Sequence, residues 1–150
     1  KLKDKFLEKV KITDLIKINF EKFNKNKKLE IKLTAPNGES EIIYKDEIMY
    51  ALGNIIQNAI FYSNNLVTAE LYYLKTNVKI IISDDGYGFS KDIFDKLGEP
   101  YVSKNKQGMG LGIFISKNLI ENMGGNLSFY NSKDDNAVVE IKFDNSILNI

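Results

Sequence analysis

The sequence predicts an α+β domain, a mixed and mostly antiparallel sheet with its helices on one face. Short runs rich in β-branched and aromatic residues recur along the chain and are bounded by turn residues, as strands are. Longer apolar stretches with helical spacing interrupt them, without the strict strand–helix–strand alternation of a parallel sheet. At 150 residues, 43% hydrophobic and 27% charged, the chain suits one domain with a real core.

Taken in order, residues 1–9 read as a charged lead-in or the end of a preceding helix. Residues 10–145 read as the domain and 146–150 as a C-terminal tail. Val10–Ile12 reads as a short strand. Thr13 or Asp14 is placed to cap a helix whose apolar stripe is Leu15, Ile16, Phe20 and Phe23. Leu29–Thr34 alternates as a strand, Pro36-Asn37-Gly38 marks a turn, and Ile42–Tyr44 is the expected partner strand. Asp46 is placed to cap a long helix running to about Tyr62. Val67–Leu74 and Val78–Ser83, split by Lys75–Asn77, read as a hairpin. Gly86 and Gly88 break the chain, a short helix covers about 91–96, and a loop reaches Gly108. A helix from about Gly110 to Asn122 stops at Gly124-Gly125. Leu127–Asn131 and Ala137–Phe143 close the sheet.

Composition removes several chemistries. There is no cysteine and no histidine, so disulfides, thiolate metal sites, histidine-ligated metals and a serine–histidine triad are excluded. All cations are lysine, because the chain has no arginine; phosphate can be gripped only by point charges and backbone donors. A net charge of +1 argues against a dedicated nucleic-acid binder. Residues 1–28 nevertheless carry ten lysines against four acids, as a solvated helix face or a docking surface would. No apolar run is long enough for a membrane span. The chain opens on Lys1, as a piece of a longer protein would.

Three elements could carry chemistry. Asn54 and Asn58 lie four residues apart on the long helix, with Phe61 on the same stripe. Asparagine is a poor helix former, so two carboxamides on an otherwise apolar helix point either to surface positions or to polar partners. Amide oxygens suit magnesium already carrying phosphates and waters. Asp84-Asp85-Gly86-Tyr87-Gly88 follows a strand. A carboxylate there can accept from an exocyclic amine, which adenine has and guanine lacks at that position; Asp-Gly is also an ordinary turn. Gly108-Met109-Gly110-Leu111-Gly112 leads into a helix, whose first N–H groups make an anion site. It is neither a Walker loop nor a dinucleotide fingerprint.

In that order, Asn54-x-x-x-Asn58-Ala59, Asp84-x-Gly86-x-Gly88 and Gly108-x-Gly110-Leu111-Gly112 resemble the asparagine box and two glycine boxes of histidine-kinase ATPase domains. Gly124-Gly125 is similar to that family's closing glycine pair. The resemblance implies a Bergerat-type two-layer α/β sandwich that binds ATP and Mg2+. It places Asn58 and Asn54 at metal and phosphates, Asp84 on the adenine amine, and Gly86, Gly88, Gly108, Met109, Gly110, Leu111 and Gly112 around the nucleotide. A mobile lid is implied over about 98–107. Gly53–Ala59 with Leu97–Ser103 further resembles the RegB/PrrB-type redox-responsive sensor kinases.

Two positions depart from the pattern. Gly98 stands where many relatives have phenylalanine, and Phe61 where they have lysine; Lys104 is the candidate to supply the missing charge. By resemblance the acceptor histidine lies on a separate dimerisation domain, a response regulator acts downstream, and the parent is a membrane-anchored bacterial sensor with this domain in the cytoplasm. No catalytic residue is assigned. A hydrolytic ATPase of the gyrase or mismatch-repair type, and an interaction module without nucleotide, remain as alternatives.

Overall fold

A computed structural model describes residues 8–90 and 109–150. Its elements are β1 (Lys9–Val10), α1 (Ile12–Phe23), β2 (Lys28–Thr34), β3 (Ile42–Ile43), α2 (Asp46–Tyr62), β4 (Leu66–Tyr73), β5 (Asn77–Asp84), α3 (Met109–Asn122), β6 (Asn126–Asn131) and β7 (Ala137–Asp144). Five strands form one sheet in the order β2-β4-β5-β7-β6, and β1 pairs with β3 separately. All neighbours in the large sheet run antiparallel except β2 and β4. The expected mixed, mostly antiparallel sheet is therefore present.

Period-two alternation decides which face is buried. Val67, Ala69 and Leu71 of β4, Val78, Ile80 and Ile82 of β5, and Val139, Ile141 and Phe143 of β7 all point inward. They meet Ile48, Leu52, Ile55, Ile56 and Ala59 of α2, with Leu15 and Ile16 of α1 and Ile113 and Ile120 of α3 in the same core. Truncating a fully buried member such as Ile80 or Leu71 to alanine costs about 2–5 kcal/mol through lost burial and the remaining cavity.

Glycines set two close approaches. Gly53 lets α1 lie against α2, since a Cβ there would fall 2.9 Å from Asn19 Oδ1; Asn19 bridges the helices by donating to Leu15 O and Met49 O. At the end of α3, Gly124 takes φ +93°. Gly125 N–H then reaches Ile120 O and Gly124 N–H reaches Glu121 O, the paired bonds of a Schellman stop. A Cβ on Gly125 would collide with the buried Phe143 ring at 2.6 Å.

Three local expectations are corrected. The strand expected at Val10–Ile12 is Lys9–Val10, and Ile12 already begins α1. Neither Thr13 nor Asp14 caps that helix: Lys11 occupies the cap position without a side-chain bond. The cap arrives from a distance, where Glu39 accepts from Thr13 N–H at 3.1 Å and Thr13 Oγ1 at 2.7 Å. Tyr73 Oη donates to the same carboxylate at 2.8 Å. Asp46 likewise is the first residue of α2 rather than its cap, which is Lys45.

A further correction concerns pairing. The turn at Pro36-Asn37-Gly38 forms, with Gly38 N–H on Ala35 O, but β3 pairs with β1 and not with β2. Glu39, anchored on Thr13 and Tyr73, draws the chain off the sheet. β2 instead lies parallel to β4, with Leu29 opposite Val67 and Ile31 opposite Ala69. Leu29 and Ile31 pack against the core, while Leu33, on the same face, is left exposed.

Candidate functional site

The site lies where the C-terminal half of α2, the end of β5 and the start of α3 converge. On α2, the apolar stripe is buried and Asn54 and Asn58 sit at its border, both half-buried. Asn54 Nδ2 is buried and has no hydrogen-bond partner among the described residues. An unmet buried donor costs about 1–3 kcal/mol, so the position fits a group that accepts from it. Asn58 sits against α3, because a Cβ on Gly112 would stand 3.5 Å from Asn58 Nδ2. The asparagine helix and the second glycine cluster are thus in contact.

On β5 the inward set Val78, Ile80, Ile82 continues by two to Asp84, which is 8% exposed. The strand's own periodicity places a carboxylate on the apolar face of the sheet. Burial raises its pKa to about 6, against the Gly86 N–H that donates to Oδ1 at 2.8 Å and lowers it; the neighbouring Asp85 raises it further and Lys27 lowers it. Oδ1 is engaged by Gly86, and Asp84 lines a cavity. That cavity is small, about 20 Å³, and is bounded by Asn58, Tyr62, Asp84, Phe89, Ile113 and Ala137 among others. It has apolar walls with a carboxylate and a carboxamide at its edge.

The first glycine box is small-residue by necessity. A Cβ on Gly86 would fall 2.1 Å from Tyr62 O, and one on Gly88, at φ +82°, would fall 2.3 Å from Asp135 O. The box is therefore wedged between the end of α2 and the β6–β7 turn.

Several residues that hold this arrangement escaped the sequence reading. Asp85 accepts from three successive backbone N–H groups, Asn64 at 2.8 Å, Asn65 at 3.0 Å and Leu66 at 3.1 Å. Those bonds, though not burial, hold its carboxyl below the usual range. Lys27 Nζ donates to Ser63 O, the C-cap carbonyl of α2, at 2.5 Å, where the helix dipole favours a cation. Asn136 Nδ2 donates to Gly86 O at 2.7 Å, and Asn131 binds the backbone of Phe89. The Asp-Asp doublet was a visible signal for Asp85. Nothing local marked Lys27, Asn131 or Asn136, whose partners are remote in the chain.

Of the expected site residues, Asn58 and Asp84 line one cavity, Gly86 bonds to Asp84 and Gly112 stands against Asn58, while Asn54 lies one helical turn before Asn58 and Gly88 lies against the β6–β7 turn. Met109 and Gly110 form the first turn of α3 and Leu111 follows in it. The expected short helix at 91–96, the lid at about 98–107, Lys104 and Gly108 lie outside the described residues. Phe61 is 62% exposed, packed edge-on against Tyr62 with centroids 4.7 Å apart. Among the described residues no cluster of three or more Asp, Glu, His or Cys could by itself hold a metal, and no helix is long and apolar enough to cross a membrane.

Comparison with known proteins gives concordant results. Residues 43–147 match the family described as histidine kinase-, DNA gyrase B- and HSP90-like ATPase. The chain is 32% identical over 125 residues to the sensor histidine kinase RegB of Cereibacter sphaeroides, an alignment covering 73% of this chain and 27% of that protein. It is 34% identical over 103 residues to the sensor protein DegM of a Bacillus species, covering 66% of this chain and 28% of that protein. It thus spans about a quarter of the length of these relatives. The mycobacterial sensor histidine kinase MprB has the same fold, with a TM-score of 0.73, 21% identity, and coverage of 91% of this chain and 96% of that one.

Proposed function

Because this chain belongs to the histidine kinase-, DNA gyrase B- and HSP90-like ATPase family, we propose that it is the nucleotide-binding half of a sensor histidine kinase. On this reading it binds Mg-ATP and presents the γ-phosphate to a histidine on a separate dimerisation domain. The observation that carries it is the placement of Asp84 on the buried sheet face, lining one cavity with Asn58, which Gly112 of α3 approaches.

Each residue's part follows from its chemistry. Asp84 Oδ2 accepts the adenine amine while Gly86 N–H holds Oδ1. The buried Asn54 Nδ2 donates to a phosphate oxygen or to water bound there. The amide oxygen of Asn58, with Asn54 beside it, suits magnesium, which would neutralise charge on the phosphates. A metal held by one or two amides and the phosphates needs no cluster of protein carboxylates. The opening turn of α3 offers N–H donors to the phosphates. Phe61 withdraws the lysine that relatives carry on α2, and we assign that charge to Lys104. If Lys104→Ala leaves ATP affinity unchanged, that assignment is wrong.

Phosphoryl transfer needs positioning and charge neutralisation more than covalent help from the protein. With no histidine in the chain, the acceptor must lie elsewhere, so these 150 residues bind Mg-ATP without forming phosphohistidine. The parent is then a membrane-anchored sensor whose partner is a response regulator. A hydrolytic ATPase is less well supported. Tyr50 and Asn54 occupy the helix turns before Asn58 where a water-activating glutamate would stand, and Glu47 is exposed at the far end of α2. Calorimetry with ATP, ADP and GTP, with and without Mg2+, tests the reading. We expect ATP and ADP to bind and GTP to bind far more weakly; no ATP binding overturns the proposal, and equal GTP binding removes Asp84's role.

A further inference from the structure

The first glycine box is held in place largely by asparagine side chains, and one of them makes an unusual contact. Asn131 ends β6, and its carboxamide meets the backbone of Phe89 twice. Oδ1 accepts from Phe89 N–H at 2.8 Å and Nδ2 donates to Phe89 O at 2.9 Å. A primary amide carries one acceptor and donors in a plane, as a peptide group does. Here it pairs with Phe89 as a neighbouring strand residue would, although Phe89 lies in no strand. The two residues are 42 positions apart.

Phe89 is 6% exposed and forms part of the cavity wall with Asp84 and Asn58. Its ring packs edge-on against Phe129 of β6, with centroids 5.9 Å apart. The same hairpin grips the box twice more. Asn136 Nδ2 binds Gly86 O, and Asp135, at φ +61°, brings its carbonyl against Gly88. The wall of the pocket is therefore located by β6–β7, while its floor is located by β5.

We propose that Asn131 is a positioning residue of the nucleotide pocket, fixing Phe89 as the wall against which the base lies. The proposal rests on the nucleotide reading above. Without the amide, the Phe89 backbone loses both bonds to β6, and the wall is less firmly placed against the base. Binding of ADP and ATP should weaken alike, because the wall faces the base rather than the γ-phosphate.

A structural contribution to stability alone is separated from this role by a matched control. Asn145, at the opposite end of the same sheet, donates to Lys75 O at 3.0 Å and Leu74 O at 3.5 Å, clamping a turn remote from the pocket. The 150-residue chain and its Asn131→Ala and Asn145→Ala variants are compared by thermal melting and by calorimetry with ADP and ATP, well below every melting temperature. Both variants should lose melting temperature. Only Asn131→Ala should weaken ADP and ATP, by about tenfold, equivalent to about 1.4 kcal/mol. Hydrogen exchange at the Phe89 amide should rise in that variant alone. Should Asn131→Ala not fold, Asn131→Asp keeps the acceptor for Phe89 N–H and sets a second acceptor against Phe89 O, and should weaken both nucleotides in the same sense. Unchanged nucleotide affinity in a folded Asn131 variant overturns the proposal, as does equal weakening by Asn145→Ala. Failure of the unaltered chain to bind either nucleotide overturns instead the reading on which it rests.

Discussion

Replacing Asp84 by asparagine should make the empty protein more stable and the nucleotide complex weaker. Raising the carboxyl from 3.8 to about 6 means that the folded state binds the proton more tightly than the unfolded state. The associated stability is fully present below about pH 3.8 and is lost as pH rises through about 6. At 1.36 kcal/mol per pKa unit the loss at pH 8 is about 3 kcal/mol as an upper bound. An asparagine at this position would carry no such penalty, and its Oδ1 can still accept from Gly86 N–H. The variant should therefore melt higher at pH 8, by about 2–4 °C per kcal/mol recovered in a domain of this size. The difference should close as pH falls toward 4. Nucleotide binding moves the other way. The amide would turn N–H groups toward the adenine amine, and losing a hydrogen bond to an ionised acceptor costs about 1.5–3 kcal/mol, or about 10- to 150-fold in affinity. ATP affinity of the unaltered chain should likewise fall as pH drops through about 6, where Asp84 takes its proton. Melting curves and calorimetry between pH 5 and 8 read both effects. An Asp84→Asn variant that is less stable at pH 8, or that binds ATP as tightly as before, refutes the reasoning.

Other substitutions sort the glycines and the loop anchors. Gly112→Ala meets Asn58 only at van der Waals distance. It should fold normally, gain up to about 1 kcal/mol of helix propensity, and still weaken ATP by crowding the asparagine, as melting and calorimetry together would report. Gly86→Ala must displace Tyr62 O from 2.1 Å and should lose more than about 3 kcal/mol in urea titration. Asp85→Ala removes the acceptor for three backbone donors and should cost about 2–3 kcal/mol, with faster hydrogen exchange at residues 64–66. Glu39→Ala uncaps α1 and strips Tyr73 of its acceptor, for about 1–2 kcal/mol in the same titration.

How much of this was legible beforehand depends on whether the information was local. The alternation Val78-x-Ile80-x-Ile82-x-Asp84 already states that a carboxylate shares the core face, and Gly124-Gly125 states where α3 stops. Each lies within one element, where periodicity and backbone preference are direct. The pairing of β2 was misread because a proline–asparagine–glycine turn fixes only a bend, not the strand that follows it. The contacts of Glu39 with Thr13 and Tyr73, which hold the segment after that turn, join residues that no window contains together. The cap of α1 was hidden for the same reason. At the site, Asn58, Asp84 and the glycines were visible as ordered motifs. Asn131, Asn136 and Lys27 were not, because their partners are backbone atoms of remote residues and a backbone atom leaves no mark in the sequence.

The parallel pairing of β2 with β4 has a kinetic consequence. Two parallel neighbours cannot be joined by a tight turn, and here the connecting chain contains α2 with both asparagines. The edge strand should therefore dock late, after a long closure that ordinary hairpins avoid. Its opening releases the same connection that holds Asn54 and Asn58 beneath the cavity. Nucleotide binds only the closed form and favours it by mass action. Amides of β2, which touch no part of the cavity, should then exchange more slowly once ATP is added, so that the occupancy of the pocket can be read at the far rim of the sheet.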